Sequence, residues 1–232
     1  FMLLVFLYGV THYFGFTTPL FTIADTAGID LTVFIGVLGT VVAFLLFLCT
    51  AMIYASLRFL QEWHTPLTVL NYTFLGTASG FMLAAALSAY LGTTLVSFYG
   101  FWAVVATVLG LITRSWSMVR NKKLKLKSTP QTAIGVRHSK VVQKAQGFMG
   151  GSFNTREFFH GRSISALGVI KVSFILLVFV VPVVLIGLAY VFQSSYMPIA
   201  AFVIQYVGLL AERYYFFADA RHPQNLYYQS MA

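Results

Sequence analysis

Charge is what this sequence has least of. Of its 232 residues only 9% are charged, against 59% that are hydrophobic. A soluble domain carries roughly 25% charged and about 45 to 50% apolar residues, so a water-soluble single-domain enzyme is close to excluded. Acids are scarcer than bases, 6 Asp and Glu against 15 Lys and Arg. There is one cysteine, Cys49, which excludes an intrachain disulfide framework and cannot by itself hold an iron–sulfur cluster or a structural zinc. A metal cluster serving redox chemistry would therefore belong to another polypeptide. Strand alternation of the β-barrel kind is missing, and no apolar run has the amphipathic stripe of a surface helix.

What the sequence has is long apolar runs. About 20 apolar residues cross a hydrocarbon core roughly 30 Å thick, and six stretches meet that length: A from Phe1 to about Ile23, B from Leu31 to Leu57, C from Leu67 to Leu91, D from Thr94 to about Ile112, E from Leu167 to Phe192 and F from Pro198 to about Phe217. The expected fold is an all-α integral membrane bundle, with helices A to D in residues 1–116, a polar loop in 117–166, helices E and F in 167–217 and a tail in 218–232. The chain opens on Phe1 inside an apolar run, without the basic segment or cleavage site of a signal peptide. The expectation is that a natural N-terminal segment is missing and that six helices is a lower bound.

The net charge of +9 becomes informative once located. Between Ser117 and Ala166 lie Arg120, Lys122, Lys123, Lys125, Lys127, Arg137, Lys140, Lys144, Arg156 and Arg162, with Glu157 the single acid. By the positive-inside rule this loop is cytoplasmic. Alternation then puts the B–C connection with Arg58, and the end of F with Arg213 and Arg221, on the same side, while Arg114 and Lys171 can snorkel there from D and E. The outer connections contain no Lys or Arg. The basic balance thus needs no nucleic acid to explain it; anionic lipid and a docking partner account for it.

Several chemistries lack their residues. Transporters bury ionisable groups near the bilayer centre, and here no Asp or Glu falls mid-helix; Glu212, beside Arg213 near the inner end of F, reads as an interfacial ion pair that ends the helix. A bis-His haem needs histidines on facing helices, yet only His12 lies in an apolar run, where it reads as an interhelical hydrogen-bonder. His64, His138, His160 and His222 fall in connections. No metal-site spacing and no activated nucleophile is visible. Gly147, Gly150 and Gly151 lack the Lys and Ser/Thr of a phosphate loop. Gly76 and Gly80 in helix C read as a close-packing pair.

The aromatic residues, 17% of the chain, crowd the inner boundary: Trp63, Trp116, Tyr214, Tyr215, Tyr227 and Tyr228. An interfacial belt is one reading; a pocket for a planar, lipid-soluble ligand such as a quinone is the other. The polar loop mixes bases with Phe148, Phe153, Phe158 and Phe159, more aromatic than a disordered linker, and reads as a partner-docking surface together with Lys122, Lys123, Lys125, Lys127, Arg137, Lys140, Lys144, Arg156 and Arg162.

The segments KSTPQTAIGVRHSK, GFMGGSFNTREFFHG, AERYYFFADARHPQNLYYQ and CTAMIYASLRFLQEWHTPLTVLNYTFLG resemble the membrane-anchor subunits of the dimethyl sulfoxide reductase family, most closely the anchors found with cytoplasmic sulfite-oxidising molybdoenzymes. The resemblance implies a subunit of the bacterial cytoplasmic membrane, with about eight helices in full. It also implies that the chain binds no metal, holds an iron–sulfur subunit with 4Fe-4S clusters and a molybdopterin catalytic subunit, and exchanges electrons with ubiquinone or menaquinone. The positions that hold quinone in the family would precede Phe1 and transfer to no residue here. On the residues present, Trp63, His64, Tyr72, Arg114 and His160 are the expected border of the quinone head group, with His64 or His160 exchanging protons and Arg114 donating to a quinone oxygen. Sulfite oxidation coupled to quinone reduction is favoured. A quinol-oxidising reductase anchor, a pure scaffold and a transporter are the alternatives.

Overall fold

A computed structural model describes residues 1–16, 19–23, 27–125, 129–136, 138, 140–141 and 164–220. They fall into two compact units, Phe1–Ile53 and Tyr54–Ala232. The first contains α1 (Met2–Tyr13), a hairpin of β1 (Pro19–Ile23) and β2 (Ala27–Asp30), and most of α2 (Leu31–Ala55). α1 is shorter than the apolar run suggested: Gly15 takes a left-handed φ of 67° just after it, and Pro19 then begins an antiparallel strand, pairing with Asp30. At 1.5 Å per residue, 12 residues reach about 18 Å, short of a bilayer core. Asp30 then starts α2 by accepting the Val33 N–H at 2.7 Å, the usual way an acidic side chain satisfies a free helix-end donor.

The second unit is a helical bundle of α3 (Pro66–Tyr90), α4 (Val96–Lys122), the short α5 (Pro130–Ile134), α6 (Ile164–Ile175), α7 (Val181–Phe192) and α8 (Tyr196–Ala218). The His-Thr-Pro break starts α3 as expected, with Thr65 as N-cap and Pro66 in the first turn, where its missing N–H costs nothing. α4 runs to Lys122, ten residues beyond the end expected for D, because Arg114, Ser117 and Met118 are buried on its inward face instead of ending it. Its 27 residues span about 40 Å, longer than the hydrocarbon core.

The packing is that of a lipid-facing bundle. The interior holds small and polar side chains, among them Ala78, Ala85, Ala89, Ala103, Ala106, Thr68 and Thr107, while Leu70, Leu83, Leu87, Phe98, Phe101, Val108 and Ile112 point outward. Without a hydrophobic drive between helices in lipid, small residues that permit close approach define the contacts. Four helices among the described residues, Leu31–Ala55, Pro66–Tyr90, Val96–Lys122 and Ser165–Phe192, are long and apolar enough to cross a membrane, against the six expected. α1 is too short, and α8 carries Gln205, Glu212 and Arg213 on a helix otherwise as long as the rest.

Between α6 and α7 the helix widens into a π segment, Leu176–Val180, directly before Pro182. Proline has no N–H for the carbonyl four residues back, which is that of Val178. Gln205 of α8 supplies the missing donor: its Nε2 lies 3.3 Å from the Val178 carbonyl and 3.2 Å from the Thr107 hydroxyl. α8 can come this close because of Gly208, where an added Cβ would stand 2.7 Å from Leu177 Cβ and 2.8 Å from its carbonyl carbon. Gly80, expected to be a close-packing glycine, has open space at that position.

Gly208→Ala should therefore lower stability by about 1–3 kcal/mol through overpacking against backbone, while Gly80→Ala should leave it level or raise it slightly, as alanine favours helix. Thermal unfolding midpoints in detergent compare the two; equal shifts would contradict the packing described.

Candidate functional site at the polar end of the bundle

Contacts fix which ends lie together. Met82 packs with Ala103 and Ala201, and Leu75 with Met118 and Tyr215, so α3 runs antiparallel to both α4 and α8. The starting end of α3 thus meets the finishing ends of α4 and α8, and the connection from Leu57 to Thr65 folds over them. Trp63 donates its indole N–H to the Phe216 carbonyl at 3.2 Å, and Arg120 donates to the Gln61 carbonyl at 3.1 Å. The bases Arg114, Arg120, Lys122 and Arg213 gather at this end, in keeping with a single basic face.

At its centre Glu212 is fully buried between two guanidinium groups. Arg114 Nε stands 2.8 Å from Oε1, in ion-pair contact but not aligned as a hydrogen bond. Arg213 Nε donates to Oε2 at 2.6 Å, and its Nη2 contacts the same oxygen. Arg114 is 3% exposed and Arg213 27%. A carboxylate out of water is costly unless paired and hydrogen-bonded, and two arginines satisfy it. Expected as a boundary pair that ends the helix, Glu212 instead sits inside it, with α8 continuing to Ala218.

Aromatic rings wall this centre. The Arg213 guanidinium lies 4.2 Å from the Tyr72 ring centre and 5.0 Å from that of Phe216, within cation–π range. Tyr72 stacks on Tyr54 at 5.7 Å, and Trp63 on Phe216 at 5.1 Å with planes 9° apart. Phe217 meets Tyr54 and Trp63 edge-on. A polar row continues inward from here. The antiparallel pairing that sets Gly110 against Leu75 brings Asn71 to the level of Arg114, and Asn71 Oδ1 is buried with no hydrogen-bond partner among the described residues. Thr107 and Gln205 lie two turns further on, about 10 Å along their helices.

Of the expected quinone-border residues, the structure brings Trp63, Tyr72 and Arg114 into one cluster. His64 sits exposed at its edge, with Nδ1 2.6 Å from the Ala55 carbonyl. A carbonyl only accepts, so Nδ1 carries the proton and Nε2 of the neutral ring is left as an acceptor. His160 lies outside the described residues. Of the docking residues, Lys122 ends α4, Lys123 caps it and Lys125 follows; Lys140 closes a small turn with its N–H on His138 Nδ1 at 3.1 Å. Lys127, Arg137, Lys144, Phe148, Phe153, Arg156, Phe158, Phe159 and Arg162 lie outside the described residues. The sequence did not single out Tyr54, Arg213, Phe216 or Phe217 for the site; the one available signal was an acid and a base side by side in an apolar helix. No grouping of three or more His, Cys, Asp or Glu suited to a metal occurs among the described residues.

Removing the carboxylate should be far worse than removing its setting. Glu212→Ala strands two guanidinium groups and should cost about 3–5 kcal/mol, whereas the apolar pair Arg114→Met with Glu212→Met should cost much less, since Arg213 alone can reach water. Yield and unfolding midpoint in detergent test this; a wild-type midpoint for Glu212→Ala would refute the triad as a stabilising element.

No family model matches the chain, and no solved structure does. It is similar to the C subunit of sulfite dehydrogenase from Allochromatium vinosum, 63% identical over 231 residues, which takes in all of this chain and 71% of the relative's length. The shared stretch includes every element that builds the polar end: the connection carrying Trp63, α3, α4 and α8. At that identity and coverage, the chain belongs to the family of sulfite dehydrogenase C subunits.

Proposed function

We propose that this chain is the membrane-anchor and quinone-interacting subunit of a sulfite-oxidising complex, with a molybdopterin catalytic subunit and an iron–sulfur subunit with 4Fe-4S clusters as partners at its basic, cytoplasmic end. The membrane is then the bacterial cytoplasmic membrane. Kinship with a sulfite dehydrogenase component supports sulfite as the reductant. The observation that carries quinone as the acceptor is the aromatic cluster of Tyr54, Trp63, Tyr72 and Phe216 set on the Arg114–Glu212–Arg213 triad: flat apolar walls beside fixed positive charge are what a ring with two carbonyl oxygens requires.

The overall conversion balances without further reactants. Sulfite and one water give sulfate, two protons and two electrons, and a quinone takes up two electrons and two protons to become the quinol. The chain's own contribution is to hold the ring near the docked electron donor, exclude water from it and deliver protons. His64 fits the last role: with its Nδ1–H held by the Ala55 carbonyl, Nε2 is the nitrogen that takes a proton from the aqueous side and passes it to the reduced ring. The basic groups Lys122, Lys123 and Lys125 suit an acidic partner surface at the same end.

His64→Gln keeps a side-chain N–H for the Ala55 carbonyl but cannot titrate. In the purified complex the ratio of quinone-linked to dye-linked sulfite oxidation should fall on the order of tenfold, less than the roughly hundredfold or more typical of general acid–base loss because water can partly replace the imidazole at this border. A ratio equal to wild type would remove His64 from the proposal.

A further inference from the structure

Charge within the buried triad does not cancel. One carboxylate lies between two guanidinium groups, leaving a net positive charge at the aromatic cluster. The two arginines are not equivalent. Arg114, the more buried, has rings of Phe174, Tyr215 and Phe216 5.7–5.8 Å from its guanidinium carbon, so it is enclosed by side chains. Arg213 reaches the cluster's edge; its Nε and Nη2 are taken by Glu212, its guanidinium carbon stands 4.2 Å from the Tyr72 ring centre, and the Tyr72 hydroxyl also interacts with the guanidinium. The Arg213 side chain is 27% exposed against 3% for Arg114, so of the two only Arg213 has surface left for a ligand.

We infer that Arg213, rather than Arg114, is the group presented to the quinone: its guanidinium donates an N–H to one ring carbonyl oxygen, while Glu212 and Arg114 act as positioning residues that fix the guanidinium. This rests on the quinone reading above and names the donor within that same site. The geometry favours a planar ligand, since Tyr72 and Tyr54 are stacked to within 18° of parallel and the Arg213 guanidinium carbon lies 4.2 Å from the Tyr72 ring centre. It favours an acceptor whose oxygen gains negative charge on reduction, because the unmatched guanidinium stabilises that charge more than the neutral ground state. Lysine could supply the charge but not the planar fork that holds Glu212 through two nitrogens.

The test uses the intact purified complex and a soluble short-chain ubiquinone analogue, with dye-linked turnover as the measure of assembled enzyme. Arg213→Gln should raise the KM for the quinone analogue about tenfold to a hundredfold, the loss of one hydrogen bond to a charged group. Arg213→Lys should give a smaller rise, and Arg58→Gln, on the same connection but outside the cluster, none. Should the glutamine variant fail to assemble, the lysine variant decides through KM alone. A wild-type quinone KM in an assembled Arg213 variant would overturn the inference while leaving the quinone reading standing; so would loss of the partner subunits from an otherwise folded Arg213 variant, which would make Arg213 a docking contact. A wild-type complex that oxidises sulfite with dye but not with quinone would overturn both.

Discussion

Everything at the functional end hangs on one buried carboxylate. Glu212 has no exposure to solvent, and a carboxylate in that position can persist only with cationic partners in contact. Those partners come from two helices: Arg213 from α8 itself and Arg114 from α4. The pair therefore ties α4 to α8 at a level where apolar contact alone would let helices slide in lipid. Once Arg213 is fixed on Glu212, its guanidinium becomes a shelf for Tyr72, and Tyr72 in turn aligns Tyr54. The connection carrying Trp63 then closes over Phe216. A charge–charge contact that contributes little net stability thus sets the register of an aromatic site.

A second constraint lies about two turns deeper. Pro182 removes a backbone donor, the helix widens before it, and Gln205 reaches across from α8 to donate to the carbonyl this frees. That reach depends on Gly208, which has no side chain to hold α8 away from Leu177. Membrane helices tolerate proline where a neighbour re-satisfies the backbone, and here the neighbour is the same helix that carries Glu212 and Arg213. The break in one helix and the charge site in another are coupled through α8.

The bundle is legible in the apolar runs and its polar end in the basic residues, because both are properties of composition along a chain. Trp63, Tyr72 and Arg114 can be grouped from sequence, since each falls at the same boundary when alternate helices reverse. The fate of the first run was not legible: Phe1 to Ile23 is mostly apolar, and the Gly15 turn and Pro19 strand divide it. The burial of Glu212 is not legible in sequence because an acid near a helix end has the same pattern whether it faces water or a partner arginine; the difference is made by Arg114, almost a hundred positions earlier in the chain. Gly80 and Gly208 look alike in sequence, and only the π segment opposite Gly208 makes one of them indispensable.

Reaction of quinone at this aromatic and arginine-lined end is tested most directly by photolabelling the intact complex with an azido-quinone and sequencing the labelled peptides. Label within residues 54–72 or 212–217, lost when excess unlabelled quinone is present, is the expected result. Label confined to other segments, or labelling that unlabelled quinone does not diminish, would contradict it.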